Sequence, residues 1–305
     1  MPNSEDTRLL ESQPMPAAPV SVGNSANTWR CGRFTFDLRR PLIMGIVNVT
    51  PDSFSDGGRF FDPSTAVEQA RQLIAEGADL INIGGESTRP GASEVTVDDE
   101  LRRVIPIVDA LRNDLVALSI DTSKPEVMRA ALSRGASVIN DVRSLSLPGA
   151  LEVAAASDCG VVLMHMQGTP ETMQDDPRYA DVTVEVGAFL RARCDEAQAA
   201  GISSERIALD PGFGFGKTNQ HNFELLARLA ELAALGRPLL VGISRKGMLK
   251  HATWRSVSER AVASGAAALI AVERGARIVR VHDVGATRDA LQVWQTTIEH
   301  MRGQG

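Results

Sequence analysis

The chain predicts a (β/α)8 barrel, and three regularities carry that expectation. From Pro41 onward, eight short apolar runs alternate with longer stretches of helical period. Glycine recurs where a helix hands over to the next strand, in Glu76-Gly77-Ala78-Asp79, Arg134-Gly135-Ala136-Ser137 and Arg274-Gly275-Ala276-Arg277, where a left-handed C-cap is needed. Many of the apolar runs stop at polar side chains. A barrel of this kind typically takes about 250 residues, which the 305 present supply. A doubly wound open sheet is the alternative. The count of eight, and the lack of a Gly-x-Gly-x-x-Gly turn after the first run, favour the barrel.

In order, run 42–47 ends at Asn48 and gives way to Thr50-Pro51-Asp52-Ser53-Phe54-Ser55-Asp56-Gly57-Gly58, a loop of turn residues without period. Asp62 before Pro63 reads as an N-cap with proline at the first helical position, and Val67, Ala70, Leu73 and Ile74 keep one face apolar up to Gly77. Run 80–83 leads into Gly84-Gly85-Glu86-Ser87-Thr88-Arg89-Pro90-Gly91, then a helix from about 97 carrying Leu101, Val104, Ile105 and Val108. Run 116–120 ends in Asp121-Thr122, and Ser123 with Glu126 has the capping-box spacing for a helix that stops at Gly135. Run 138–139 ends in Asn140-Asp141 and precedes a short helix, 147–156.

Run 161–164 ends in His165; a loop with Gly168-Thr169-Pro170 precedes a long helix from about 176 to 200. Run 207–210 finishes in Asp210, before Pro211-Gly212-Phe213-Gly214-Phe215-Gly216-Lys217. Residues 222–235 are helical and stop at Gly236, and run 239–243 ends in Ser244-Arg245-Lys246. Ser256 with Glu259 is a second capping box, for a helix ending near Gly275. Run 278–281 has Arg280 and His282 at its end, and a final helix spans about 286–301. Residues 1–28, rich in Pro, Ser, Asn and Ala, read as a disordered tail, leaving 29–305 as one domain.

Composition narrows the function. A net charge of −6, with no long basic run, disfavours nucleic acid as a partner. No apolar stretch reaches the roughly 20 residues that span a membrane, and no secretory signal is visible at the N-terminus. Cys31, Cys159 and Cys194 are far apart and lack metal-ligand spacing, which suits a reducing, cytoplasmic setting.

In a barrel the C-terminal strand ends share one cavity. Collected there are Asn48, Thr88, Arg89, Asp121, Asn140, His165, Asp210, Lys246, Arg280 and His282. Asp121, Asn140 and Asp210 offer acceptors suited to the N–H edge of a flat heterocycle. Arg89, Lys246, Arg280 and His282 form a local cationic patch suited to a phosphorylated or diphosphate ligand. Asn48 opposite the patch has the chemistry to hold a hydrated Mg2+. Asp121 also has a plain reading as a helix cap, His165 as a packed histidine, Lys217 as a solvated loop charge and Arg89 as a partner of Glu86. For Asp210, Lys246 and Arg280 a ligand is the better reading, because unpaired charges on buried strand ends are costly.

These motifs resemble the dihydropteroate synthase family of folate biosynthesis. The resemblance rests on Met44-Gly45-Ile46-Val47-Asn48-Val49-Thr50-Pro51-Asp52-Ser53-Phe54-Ser55-Asp56-Gly57-Gly58, Gly84-Gly85-Glu86-Ser87-Thr88-Arg89-Pro90-Gly91, Ile120-Asp121-Thr122, Ile139-Asn140-Asp141, Asp210-Pro211-Gly212-Phe213-Gly214-Phe215-Gly216-Lys217, Ser244-Arg245-Lys246 and Arg280-Val281-His282-Asp283-Val284, in family order. It implies a TIM barrel that joins p-aminobenzoate to 6-hydroxymethyl-7,8-dihydropterin diphosphate, working as a homodimer. It further implies that Asp121, Asn140, Asp210 and Lys246 hold the pterin, and that Asn48, Arg280 and His282 hold diphosphate and Mg2+. Thr88, Arg89, Phe54, Pro90 and Phe215 would shape the aminobenzoate site, with Lys246, Arg280 and His282 as the catalytic cations. The chain departs from the family's usual pattern at Asn82, where aspartate is common, at Gly247, where serine is common, and over 251–260, which lacks a Gly/Pro-rich stretch.

Overall fold

The computed structural model describes residues 27–50, 63–88 and 91–302. Eight parallel strands close a barrel: β3 (Leu42–Asn48), β4 (Leu80–Gly84), β5 (Ala117–Asp121), β6 (Val138–Asp141), β7 (Gly160–Met164), β8 (Ile207–Asp210), β9 (Leu239–Val241) and β10 (Ala276–Val281), with β10 pairing back onto β3. Before them stands an antiparallel hairpin, β1 (Thr28–Cys31) and β2 (Phe34–Asp37). The helices are α1 (Pro63–Glu76), α2 (Val97–Leu111), α3 (Pro125–Leu132), α4 (Ala150–Ala155), α5 (Val182–Ala199), α6 (Asn219–Ala227), α7 (Leu229–Ala233), α8 (Gly247–Thr253), α9 (Ala261–Glu273) and α10 (Val284–Arg302).

Period-two alternation divides each strand between two cores. Outward residues such as Ile43, Ile81, Leu118, Ile139, Leu209 and Val279 pack against the helices in one large apolar layer. Inward residues near the strand starts (Leu42, Leu80, Ala117, Val138, Val162, Ala208, Leu240, Ile278) fill the lumen. Two residues further along, the inward positions turn polar: Asn82, Ser119, Asn140, Asp210 and Arg280 are all buried.

The hairpin closes the apolar end. Trp29, Cys31 and Leu38 have no exposed surface and join the lumen cluster. Trp29 Nε1 donates to Arg206 O at 3.0 Å, just before β8, and Gly32 N donates to Asp158 O at 2.9 Å, just before β7. Nothing in the local pattern distinguishes so short a hairpin from the expected tail. Of that tail, residues 1–26 lie outside the described residues, while Thr28 already pairs with Asp37.

Several expected boundaries shift for identifiable reasons. Pro125 fixes the start of α3, so Lys124 is the cap, and Ser123 donates to Asp141 instead of closing a box with Glu126. The long helix starts at Val182, not near 176, because Asp181 accepts from Val184 N at 2.9 Å and caps it there. The helix expected over 222–235 starts at Asn219, where Thr218 and His221 form a capping box, and breaks at Arg228. The Ser256–Glu259 box is present but opens only a single 3-10 turn ahead of α9. The Asp62 cap lies outside the described residues.

Removing the plug residue tests this arrangement. Trp29→Ala is expected to lower unfolding free energy by about 3–5 kcal/mol, the range for a buried Trp, in urea titrations. Ligand affinity of the remaining folded protein should be unchanged, because Trp29 lies at the opposite end of the lumen from the polar strand ends.

Candidate active site

Strand register assembles the polar end. Asn48 pairs with Gly84, Gly84 with Asp121, and Asp121 with Asn140, so four consecutive strands place their last inward positions at one level. Gly84 contributes no side chain: a β-carbon there would lie 3.6 Å from Asp121 Cβ and 3.7 Å from Asn48 Oδ1. Asn48 and Asp121 therefore look across a gap.

Arg280 spans the mouth. Its Nη1 lies 3.4 Å from Asp121 Oδ2 and its Nη2 3.7 Å from Asp210 Oδ2. The charges at 121, 210 and 280 thus face one another rather than standing apart. Gly242 makes room for the guanidinium, since a β-carbon at that position would come within 2.9 Å of Arg280 Nη2. Asp121 Oδ2 also accepts from Asn82 Nδ2 at 2.9 Å and Asn140 Nδ2 at 3.1 Å. Asp210 Oδ1 accepts from Gly212 N at 2.8 Å. Among the described residues, Asp210 Oδ2 and Asn140 Oδ1 are buried without a hydrogen-bond partner, which is costly unless a ligand supplies donors.

Lys246 caps α8 and returns over the pocket, donating to Phe213 O, with its Nζ 4.2 Å from the centre of the Phe215 ring. Burial, and then the neighbouring Arg280 charge, push its pKa down to about 7 against the pull of Asp210 and Asp121. Phe215 packs with Val142, Met164 and Met173. His282, at the end of β10, has Nδ1 3.1 Å from Ser244 Oγ. Behind it, Arg245 pairs with Asp283 at 2.6 Å and ties the β9 and β10 ends together.

The loop after β8 is built around Lys217. Expected as a solvated charge, Lys217 is instead 3% exposed, its Nζ donating to Gly212 O and Phe215 O, each at 3.0 Å, and lying 2.9 Å from His165 Nδ1. Burial lowers Lys217 to about 7. Burial, followed by the Lys217 charge, lowers His165 to about 3, so this packed histidine is neutral. Gly212 is obligatory: its φ is +69°, and a β-carbon would fall 1.8 Å from His165 O.

Thr88 lies beside Asp121 in the lining of a cavity of about 150 Å³, between the loops that follow β4 to β7. At the base of the β4 loop, Glu86 accepts from Lys124 Nζ at 2.6 Å and from Val95 N at 2.8 Å. Phe54, Arg89 and Pro90 lie outside the described residues. The structure thus brings together Asn48, Asp121, Asn140, Asp210, Lys246, Arg280 and Phe215, with His282 bound to Ser244 at the β10 end. The sequence reading left Asn82 and Ser119 out of the site. Both lie two residues before a strand-end position, so period two places them on the same inward face.

The family model described as "pterin binding enzyme" matches residues 44–282. The dihydropteroate synthase of Escherichia coli (strain K12) is 52% identical over 265 residues, 87% of this chain and 94% of that protein. Among solved structures, the Xanthomonas albilineans dihydropteroate synthase with 4-aminobenzoic acid is 51% identical, with a TM-score of 0.84, covering 89% of this chain and 98% of that one. The Burkholderia cenocepacia dihydropteroate synthase complexed with 7,8-dihydropteroate is 48% identical, with a TM-score of 0.84, covering 91% and 99%. This chain belongs to the dihydropteroate synthase family, transferases of folate biosynthesis.

Proposed function

We propose that the chain condenses 6-hydroxymethyl-7,8-dihydropterin diphosphate with p-aminobenzoate, giving 7,8-dihydropteroate and diphosphate. The observation that carries this reading is one cluster of strand-end side chains with two characters: buried acceptors at Asn140 and Asp210 that lack hydrogen-bond donors among the described residues, and cations at Lys246 and Arg280 beside them. Asp121, Asn140, Asp210 and Lys246 hold the pterin edge. Arg280 and His282, with Lys246, receive the diphosphate and stabilise the negative charge it gains as the C–O bond breaks. Phe54, Thr88, Arg89, Pro90 and Phe215 shape the aminobenzoate site. The 4-aminobenzoic acid and 7,8-dihydropteroate of the related structures fit this division.

Asn48 is the residue to hold Mg2+. It offers one neutral oxygen, and among the described residues no three His, Cys, Asp or Glu side chains gather as a metal cage. Such a sparse donor set fits Mg2+, which keeps most of its waters and binds through few protein oxygens and substrate phosphates. Bound there, it would neutralise charge on the leaving diphosphate. Departure leaves a pterin-stabilised carbocation that the aromatic amine attacks. The amine then sheds its proton, which requires little general-base help, because an aromatic ammonium is a strong acid. Excluding water at that moment is the task we assign to the loops after β3 and β4.

We further read residues 29–305 as one barrel domain in the cytoplasm, where three buried free cysteines are at home. A homodimer through α9 and α10 accounts for the exposed Val262, Ile270 and Val293. No described helix is long and apolar enough to cross a membrane.

Diphosphate release should require p-aminobenzoate; release from the pterin diphosphate at an equal rate without it would overturn the synthase reading. Asp210→Asn is expected to weaken pterin binding by about 1–3 kcal/mol, measured by calorimetry, and unchanged affinity would remove Asp210 from the site. Burial and the Arg280 charge push Lys246 down to about 7, so above that pH binding of an anionic substrate is coupled to uptake of a proton. Affinity for the diphosphate substrate should therefore fall as pH rises from 7, by at most about tenfold per unit, the effect of one proton. Lys246→Gln should lose that slope while keeping any contribution from the ligand's own ionisation.

A further inference from the structure

We infer that Asn82 sets the hydrogen-bond polarity of the pterin end of the pocket, a role that rests on reading that end as a pterin site. Asn82 is 2% exposed, on the inward face of β4. Its Nδ2 donates to Asp121 Oδ2 at 2.9 Å. Its Oδ1 accepts from Ser119 Oγ at 2.9 Å and from Asn140 Nδ2 at 3.3 Å.

The order of these bonds follows from charge. An ionised carboxylate only accepts, so Asp121 draws the amide NH2 of Asn82 toward itself. That leaves the Asn82 oxygen facing Asn140 and Ser119. The same oxygen, together with Asp121 Oδ2 at 3.1 Å, draws the NH2 of Asn140 inward. What remains of Asn140 is its Oδ1, buried and without a hydrogen-bond partner among the described residues. One negative charge, passed through two amides, thus turns the outermost group into an acceptor. Asp210 Oδ2 is the second unpartnered acceptor, so the pocket asks for donors.

Asn82 acts through Asp121 and Asn140, to which it is hydrogen-bonded; it is a positioning residue whose effect is on which ligand edge fits. With an apolar side chain at this position, Asn140 loses one of the two groups that hold its NH2 inward, and its amide is free to reverse. With aspartate there, two carboxylates about 3 Å apart share one proton. That proton stands where the Asn82 N–H stood, and the new carboxylate still accepts from Asn140. Asn82→Asp should therefore preserve the polarity and Asn82→Leu should lose it.

The probes are 6-hydroxymethylpterin and its lumazine analogue, in which a carbonyl replaces the 2-amino group, each measured by calorimetry at neutral pH. Wild type and Asn82→Asp should both prefer the pterin by at least about tenfold, the effect of leaving buried polar groups mismatched. In Asn82→Leu, shown folded by a cooperative thermal transition, that preference should shrink by roughly tenfold, with relative affinity for the lumazine rising. A folded Asn82→Leu protein that discriminates as wild type does would overturn the inference, as would loss of discrimination in Asn82→Asp. Wild type that binds the pterin without preferring it overturns the role of Asn82 alone. Wild type that binds neither compound overturns the pterin reading of the site as well.

Discussion

A guanidinium suspended between two carboxylates organises the mouth of this barrel. Arg280 comes from the last strand, Asp121 from the third barrel strand and Asp210 from the sixth, and they meet only because the sheet closes. Taking three charges out of water costs several kcal/mol each, and their attraction at 3.4 and 3.7 Å repays that incompletely. Apolar residues of similar size would serve stability as well. The surrounding structure accordingly spends its design on holding these groups apart at fixed spacing. Gly242 leaves room for the guanidinium, Asn82 and Asn140 saturate one oxygen of Asp121, and the Gly212 amide holds one oxygen of Asp210.

Two inward-turned supports keep that spacing. Lys217 grips two carbonyls of the loop after β8, which in turn presents Phe213 O and the Phe215 ring to Lys246. Asp141, fully buried and pushed up to about 6 by that burial, accepts from Ser123 Oγ and from the amides of Arg143 and Leu145, holding the turn after β6. Both are ionisable groups used as rivets beneath the site. They differ from Lys246, whose charge faces the pocket itself.

Much of this was legible without coordinates. Eight apolar runs with glycine at the helix-to-strand junctions specify the barrel, because the alternation is repeated and the barrel strands are buried on both faces. Strand-end polar residues were legible for the same reason: topology alone brings Asn48, Asp121, Asn140, Asp210 and Arg280 to one rim. Other features depend on partners distant in sequence. Trp29 becomes a plug only when Arg206 and the lumen residues surround it, and Lys217 is buried only because Gly212, Phe215 and His165 fold over its ammonium group. Ser123 failed as a cap because Pro125 and Asp141 outcompete the local pattern. Lys246 as a reversible charge was likewise invisible, since its shift comes from burial and from Arg280, thirty-four positions away.

The hairpin beneath the barrel also has a bearing on traffic. With Trp29 and Leu38 packed into the lumen, the floor of the well is closed among the described residues. Asp121 and Asn140 are thus approached from the rim where the strands end, and the hairpin confines traffic to that side.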